Sequence, residues 1–412
     1  MELIIKKRRI KLIIAVFVML FAGIIYAWSI INTPFRQISD GVVTNATQLG
    51  INYTLTIIFF CLGGFGSGII AKHTTTTLRL TLSALMLFTG FFAASLQTVT
   101  LSYTGNYFML YLAYGVLCGL GIGVAYNTVI STINMWYPDK RGFSSGIMLM
   151  GFGLSLLATG WLIDILGNSE SVGWRFTYVY IAVALGIVLL IAAIFINPPP
   201  KDTVFPQPKS DNASSITEET KNYTALEMIR QPSFILIFIF VTILASTGSA
   251  AISFARDIVI DAGASEGFAV FAVGLLGISN GFGRLAIGWL FDKQGMRHTQ
   301  FFSGGVAILA PLTVVMALIA NSLFLGVLGL CLCGFSYGLA PTINSVFASG
   351  FYGQKNFSLN FSILNLILIP APFAAMLAGG IKASTGGFMT AFIILTGLTV
   401  VGFFVCMAIK KP

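Results

Sequence analysis

Charge is scarce in this sequence. Only 9% of the 412 residues are Asp, Glu, Lys or Arg, while 56% are hydrophobic; ordinary soluble domains carry roughly 25% charged residues. A water-soluble fold of this length has no means of hiding so much apolar surface, so the solvent must be lipid. Acids and histidines are scarcer still. Thirteen of the 14 carboxylates fall in loops or tails, and Asp164 marks the outer end of an apolar run. The two histidines, His73 and His298, lie between apolar runs, where a solvated role suffices. With no intramembrane Ser/His set, paired acids or metal-ligand cluster, neither an enzyme nor a metal or other cofactor is expected. The five cysteines, Cys61, Cys118, Cys331, Cys333 and Cys406, sit inside apolar runs as small packing residues. The net charge of +9 gathers at the ends of these runs and forms no basic patch with interleaved aromatics, which excludes nucleic acid as a partner.

What the sequence does contain is long apolar runs. A helix needs about 20 apolar residues to cross a hydrocarbon core of roughly 30 Å. Twelve stretches qualify, near 10–32, 48–70, 80–98, 107–135, 143–165, 176–197, 232–255, 267–290, 300–320, 323–349, 358–380 and 388–409. All must be helices, because an isolated span cannot leave backbone groups unpaired in lipid. The basic start, Lys6 to Lys11, precedes the first run as in a signal peptide; no small-residue cleavage site follows, so an uncleaved first helix is expected. The one long seam is residues 198–231, which opens on Pro198, Pro199 and Pro200 and continues through Lys209, Ser210, Asp211 and Asn212. Lacking an apolar face, it reads as a linker between two six-helix bundles, 1–197 and 232–412.

Lys and Arg set the orientation. With an even number of spans both termini share a side. That side, with the linker, carries 18 of the 23 cations, the opposite side carries four, and Arg284 lies within a span. Termini and linker are therefore assigned to the cytoplasm of a cell-membrane protein. The halves also echo each other: a shift of 214 residues lays YNTVISTINMWYPDKRGFSS (126–145) on APTINSVFASGFYGQKNFSL (340–359), matching Phe143 with Phe357 and Ser144 with Ser358. Such a twofold repeat is the build of a rocking-bundle transporter, here expected to act as a monomer.

Arg284 is the most informative residue. It stands eight residues before Asp292 at the cytoplasmic edge, so roughly 12 Å deep at 1.5 Å per residue. A guanidinium at that depth must face a wet cavity or a partner. Snorkelling would have to pass two helical turns, and no acid lies at comparable depth in the sequence. An anion-substrate anchor is the reading that remains, since the planar fork of arginine matches a carboxylate with two parallel hydrogen bonds. Asn280, one turn earlier, shares its helix face. Tyr26 and Trp28 in span 1, Tyr126 and Asn127 in span 4 and Tyr337 in span 10 are candidates to line the same cavity, although for any single one interhelical bonding or packing is the stronger explanation; the same holds for Asn344 and Asn365. No buried acid is available as a titrating group, which favours exchange or substrate-carried protons; Asp257 and Asp261, just outside span 7, are the residual candidates for proton coupling.

The segment GRLAIGWLFDKQGMR (283–297) resembles the signature loop of the major facilitator superfamily, with Gly288, Asp292, Lys293, Gly295 and Arg297 in the places of a conformational-switch loop. In the first half, GIIAKHTTTT (68–77) has lost the pattern, with Lys72 where the Asp should be. More narrowly, YAWSIINTPF (26–35), NMWYPDKRGFSSGI (134–147), EMIRQPSF (227–234) and NGFGR (280–284) resemble the oxalate/formate antiporter family and its monocarboxylate-transporter relatives. The resemblance implies an all-α major facilitator fold, small organic anions as cargo and Arg284 as the carboxylate ligand. Dicarboxylate exchangers of that family add a lysine in span 11; its place falls near Leu368, and SILNLILIPAP (362–372) holds no charge. One cation fits one carboxylate, so a monocarboxylate such as formate, lactate or pyruvate is expected, moved by alternating access. The competing readings are an exporter of apolar or cationic drugs, indifferent to Arg284, and a membrane metabolite sensor without net flux, which would need a signalling domain where the sequence has only the linker.

Overall fold

The computed structural model describes residues 2–36, 46–104, 107–200, 203, 205 and 221–412. Among these residues the secondary structure is helical throughout, with no strand. Eleven helices are long and apolar enough to cross a membrane: Lys6–Ala27, Gln48–Ile70, Thr76–Thr98, Phe108–Trp136, Arg141–Gly167, Gly173–Phe195, Pro232–Ser253, Phe271–Ala320, Leu323–Tyr352, Phe357–Lys382 and Met389–Ala408. The eighth of these runs for 50 residues, about 75 Å at 1.5 Å per residue and more than twice a hydrocarbon core. It is divided at Gly295, whose φ of 75° and ψ of −169° are not helical and lie where only glycine is unstrained. That helix therefore supplies spans 8 and 9, and the described residues contain twelve spans, the number that hydropathy predicts. Most of the predicted linker lies outside the described residues.

Several spans are not plain α-helix. Span 1 tightens to a 3₁₀ turn at Gly23–Ala27 and span 11 does so at Asn365–Leu368. Spans 4 and 5 widen to π turns at Tyr111–Cys118 and Leu156–Gly160. Turns of this kind keep the backbone groups paired within the helix, as a membrane span requires.

By packing, the chain divides into two compact units, Met1–Pro138 with Gly151–Phe205, and Asp139–Met150 with Pro206–Pro412. In the first, basic side chains close one end: Lys11 Nζ donates to the Phe195 carbonyl and to Asn197 Oδ1, both at 2.6 Å, and lies 5.0 Å from the Trp136 ring centroid. Trp136 Nε1–H in turn donates to the Asn197 carbonyl at 2.7 Å. In the second, alanines and aromatics of spans 7 to 12 form an apolar core that includes Ala250, Ile258, Leu276, Val314, Phe388 and Phe392. Span 7 begins cleanly: Thr224 and Glu227 form a capping box on the short helix Ala225–Ile229, and Pro232 opens the span, where its missing N–H costs nothing. Hydrogen bonds from Thr224 hold the Glu227 carboxyl below the usual range.

Candidate functional site

Arg284 is the largest fully buried side chain in the described structure, with 1% of its surface exposed. Its Nε–H donates to Asn280 Oδ1 at 3.1 Å, and Nη1 donates to the Leu149 carbonyl of span 5 at 2.8 Å. Asn280 is itself buried. The i, i+4 spacing stacks the two side chains on one face of span 8, so the amide oxygen holds the guanidinium in one orientation.

Small residues bring the neighbouring backbones close around this pair. A Cβ at Gly146 would lie 2.6 Å from the Arg284 carbonyl, and one at Gly338 of span 10 would lie 2.1 Å from the Asn280 carbonyl. Any larger side chain there would force the helices apart. Tyr337, beside Gly338, packs its ring on Gly248 of span 7, where a Cβ would meet Tyr337 Cβ at 2.3 Å. Arg284, Asn280 and the backbone at Tyr337 are thus gathered in one part of the second unit. Asn344 Nδ2 donates to Asn365 Oδ1 at 3.1 Å and to the Leu364 carbonyl at 3.3 Å. That bond ties span 10 to the 3₁₀ turn of span 11 and is the interhelical role weighed against a binding role. From Phe357 to Lys382, span 11 carries a single cation, Lys382 itself, whose ammonium lies 2.9 Å from Asp257. Asp257, one residual candidate for proton coupling, is therefore half of a part-buried ion pair.

The switch-loop residues have separate tasks. Gly288 crosses Gly142 of span 5 so closely that a Cβ on either would lie 2.1 Å from the other's carbonyl oxygen. Asp292 accepts from the backbone N–H of Gly142 at 2.9 Å and of Phe143 at 2.6 Å. Its carboxylate satisfies two orphan donors at the start of the helix Arg141–Gly153, at the end where the helix dipole favours a negative charge. Gly295 breaks the helix, Lys293 sits 4.8 Å from the Trp289 ring centroid, and Arg297 is exposed.

In the first unit, Tyr26 and Tyr126 meet through a residue not anticipated from the sequence, Phe152, with centroids 5.5 and 5.1 Å from it. Phe60 closes the group, 5.1 Å from Tyr126. Trp28 belongs elsewhere: it lies 4.4 Å from Tyr114, which packs in turn on Phe91. Asn127 is buried against Gly64 of span 2, a helix contact. A phenylalanine among glycines and leucines gives no sign of such a role, and the Leu149 carbonyl, as a backbone group, has no sequence signature at all.

The sequence pattern of the Major Facilitator Superfamily matches residues 12–368. The chain belongs to that superfamily. It is similar to the oxalate:formate antiporter of Oxalobacter formigenes, 25% identical over 399 residues that cover 93% of this chain and 87% of that protein. It is similar also to human monocarboxylate transporter 12, 23% identical over 352 residues, 79% of this chain and 66% of that protein. Among solved structures, the Escherichia coli fucose:proton symporter superposes with a TM-score of 0.71 at 16% identity, covering 98% of this chain and 100% of that one. A proton:xylose symporter gives 0.70 at 14%, covering 98% and 97%. Likenesses at that identity show the fold alone.

Proposed function

We propose that this transporter is a secondary active carrier of small organic anions, with a monocarboxylate such as formate, lactate or pyruvate as cargo. One observation carries the reading: a guanidinium buried within span 8, oriented by Asn280 from the same helix face. Arginine so placed offers a carboxylate a planar pair of donors. The antiporter and monocarboxylate-carrier relatives support anionic cargo. The uncharged course of span 11 around Leu368 supports one carboxylate over two, because a second carboxylate without a cation would stay desolvated and unpaired.

Alternating access, in which two six-helix halves take turns to expose a midplane site, is the mechanism we assign. The halves are 1–197 and 232–412, linked by 198–231, and the carrier works as a monomer in the cytoplasmic membrane; the distribution of Lys and Arg supports both termini inside. The test is uptake into proteoliposomes from a panel of labelled mono- and dicarboxylates, with and without a pH gradient. Saturable uptake of monocarboxylates supports the reading; absence of uptake for every carboxylate, with transport of apolar cations instead, would replace it by a drug exporter.

A further inference from the structure

Away from Arg284, the second unit carries a groove of ≈ 580 Å³ formed by the facing ends of spans 8 and 9. Arg297 and His298 stand at its rim, and Phe301, Phe302, Gly305 and Leu309 line its length. Arg297, Phe301, Gly305 and Leu309 recur every four residues, so they form one stripe along span 9. Twelve residues at 1.5 Å each make that stripe about 18 Å long, the depth of roughly one leaflet of a 30 Å core. Phe301 is 65% exposed and Leu309 54%, and a Cβ at Gly305 would meet nothing within 4 Å. The glycine thus leaves an open trough between two apolar walls.

The rim is chemically different. Arg297 is exposed and has no acidic partner among the described residues. His298 Nδ1 is engaged with the Gln294 carbonyl at 3.0 Å; since a carbonyl only accepts, Nδ1 carries the proton and Nε2 is left for a headgroup hydroxyl. Beside the rim, Lys293 lies over Trp289, which is 50% exposed. An amphipathic indole beneath a snorkelling ammonium marks the level of lipid headgroups. A cationic rim at headgroup level above an apolar trough one leaflet deep is complementary to one kind of molecule.

We propose that this groove binds an anionic phospholipid, its phosphate on Arg297 and one acyl chain laid along Phe301, Gly305 and Leu309. Basic pockets between spans recognise anionic headgroups through the same charge complementarity, and the planar guanidinium suits a phosphate's paired oxygens. Arg297 follows the break at Gly295 by two residues, so a bound lipid ties the loop between spans 8 and 9 to the leaflet. The site is independent of which cargo Arg284 takes.

The experiment is native mass spectrometry of the purified full chain, equilibrated with equal amounts of phosphatidylglycerol and phosphatidylcholine. The wild type should retain phosphatidylglycerol at least fivefold over phosphatidylcholine. Gly305→Leu, which fills the trough where space is open, and Arg297→Gln, which removes the cation, should each erase that preference. Phe324→Leu, on the exposed wall of span 10, should keep it. Glycerol phosphate alone should not displace the lipid; if it does, the site is one for free phosphate and the proposal fails. Equal retention of the two lipids by the wild type, or an unchanged preference in both Gly305→Leu and Arg297→Gln, would also overturn it.

Discussion

The Nε–H of Arg284 donates to Oδ1 of Asn280 at 3.1 Å, one helical turn away on the same face of span 8. This bond makes Asn280 the residue that sets the direction of the fork. Replacing it by Ala leaves the guanidinium its bond to the Leu149 carbonyl but loosens its orientation, and removes a hydrogen bond to a charged group worth about 1.5–3 kcal/mol. Asn280→Ala should therefore raise KM for the cargo by roughly 10- to 100-fold with little change in folding. Asn280→Asp should do more harm to transport, because an internal carboxylate at i, i+4 competes for the same donors. Initial uptake rates across substrate concentration decide it; wild-type KM in Asn280→Asp would mean that the guanidinium is not the ligand.

Asp292 caps the start of span 5, so its charge should be felt as stability before it is felt as affinity. Asp292→Asn keeps the shape but presents one amide oxygen to two N–H donors. The expected loss is about 0.5–2 kcal/mol, as for other lost N-caps. Gly288→Ala should cost about 1–3 kcal/mol by overpacking its contact with Gly142. Thermal unfolding of the purified variants measures both, and KM should stay within about twofold of wild type in the Asn variant. A large KM change without a stability change would place Asp292 in the binding machinery instead.

Span 11 sets the expected selectivity. With Arg284 as the proposed anchor and no charge around Leu368, monocarboxylates should compete for uptake far better than oxalate does. Leu368→Lys puts an ammonium at the position where the family resemblance expects one, in the 3₁₀ turn Asn365–Leu368. Pairing the second carboxylate there should improve oxalate competition by roughly 10-fold or more. Competition curves for oxalate against a labelled monocarboxylate test this, and tight oxalate binding by the unmodified chain would contradict it.

The spans were legible because lipid leaves a backbone no alternative to the helix: apolar runs such as 232–255 and 388–409 can be nothing else. Arg284 was legible for the same reason, as a lone charge inside such a run. The break at Gly295 was visible as a signature glycine, but not the target of Asp292, since the meeting of Asp292 with Gly142 and Phe143 depends on how distant helices pack. Tyr26 and Trp28 illustrate a different limit. Two residues apart, they read as neighbours, yet Tyr26 lies in the 3₁₀ turn and Trp28 begins the next α-turn, so their rings join separate aromatic groups. The π turns of spans 4 and 5 have no local sequence cause and follow from tertiary packing, as does the choice of the Leu149 carbonyl as a partner for Arg284.

Capture of the cargo's carboxylate by Arg284 is what transport by this carrier turns on. Its most direct test is uptake of labelled formate, lactate or pyruvate into proteoliposomes by purified Arg284→Gln beside the wild type, with folding of both checked by thermal unfolding. Glutamine can still hydrogen-bond but brings neither the charge nor the fork. Losing charge-assisted bonds of about 3 kcal/mol or more should lower kcat/KM by at least roughly 100-fold. Arg284→Lys should recover little of it, because an ammonium restores only the charge. Folded Arg284→Gln protein that takes up monocarboxylate at the wild-type rate would contradict the assignment.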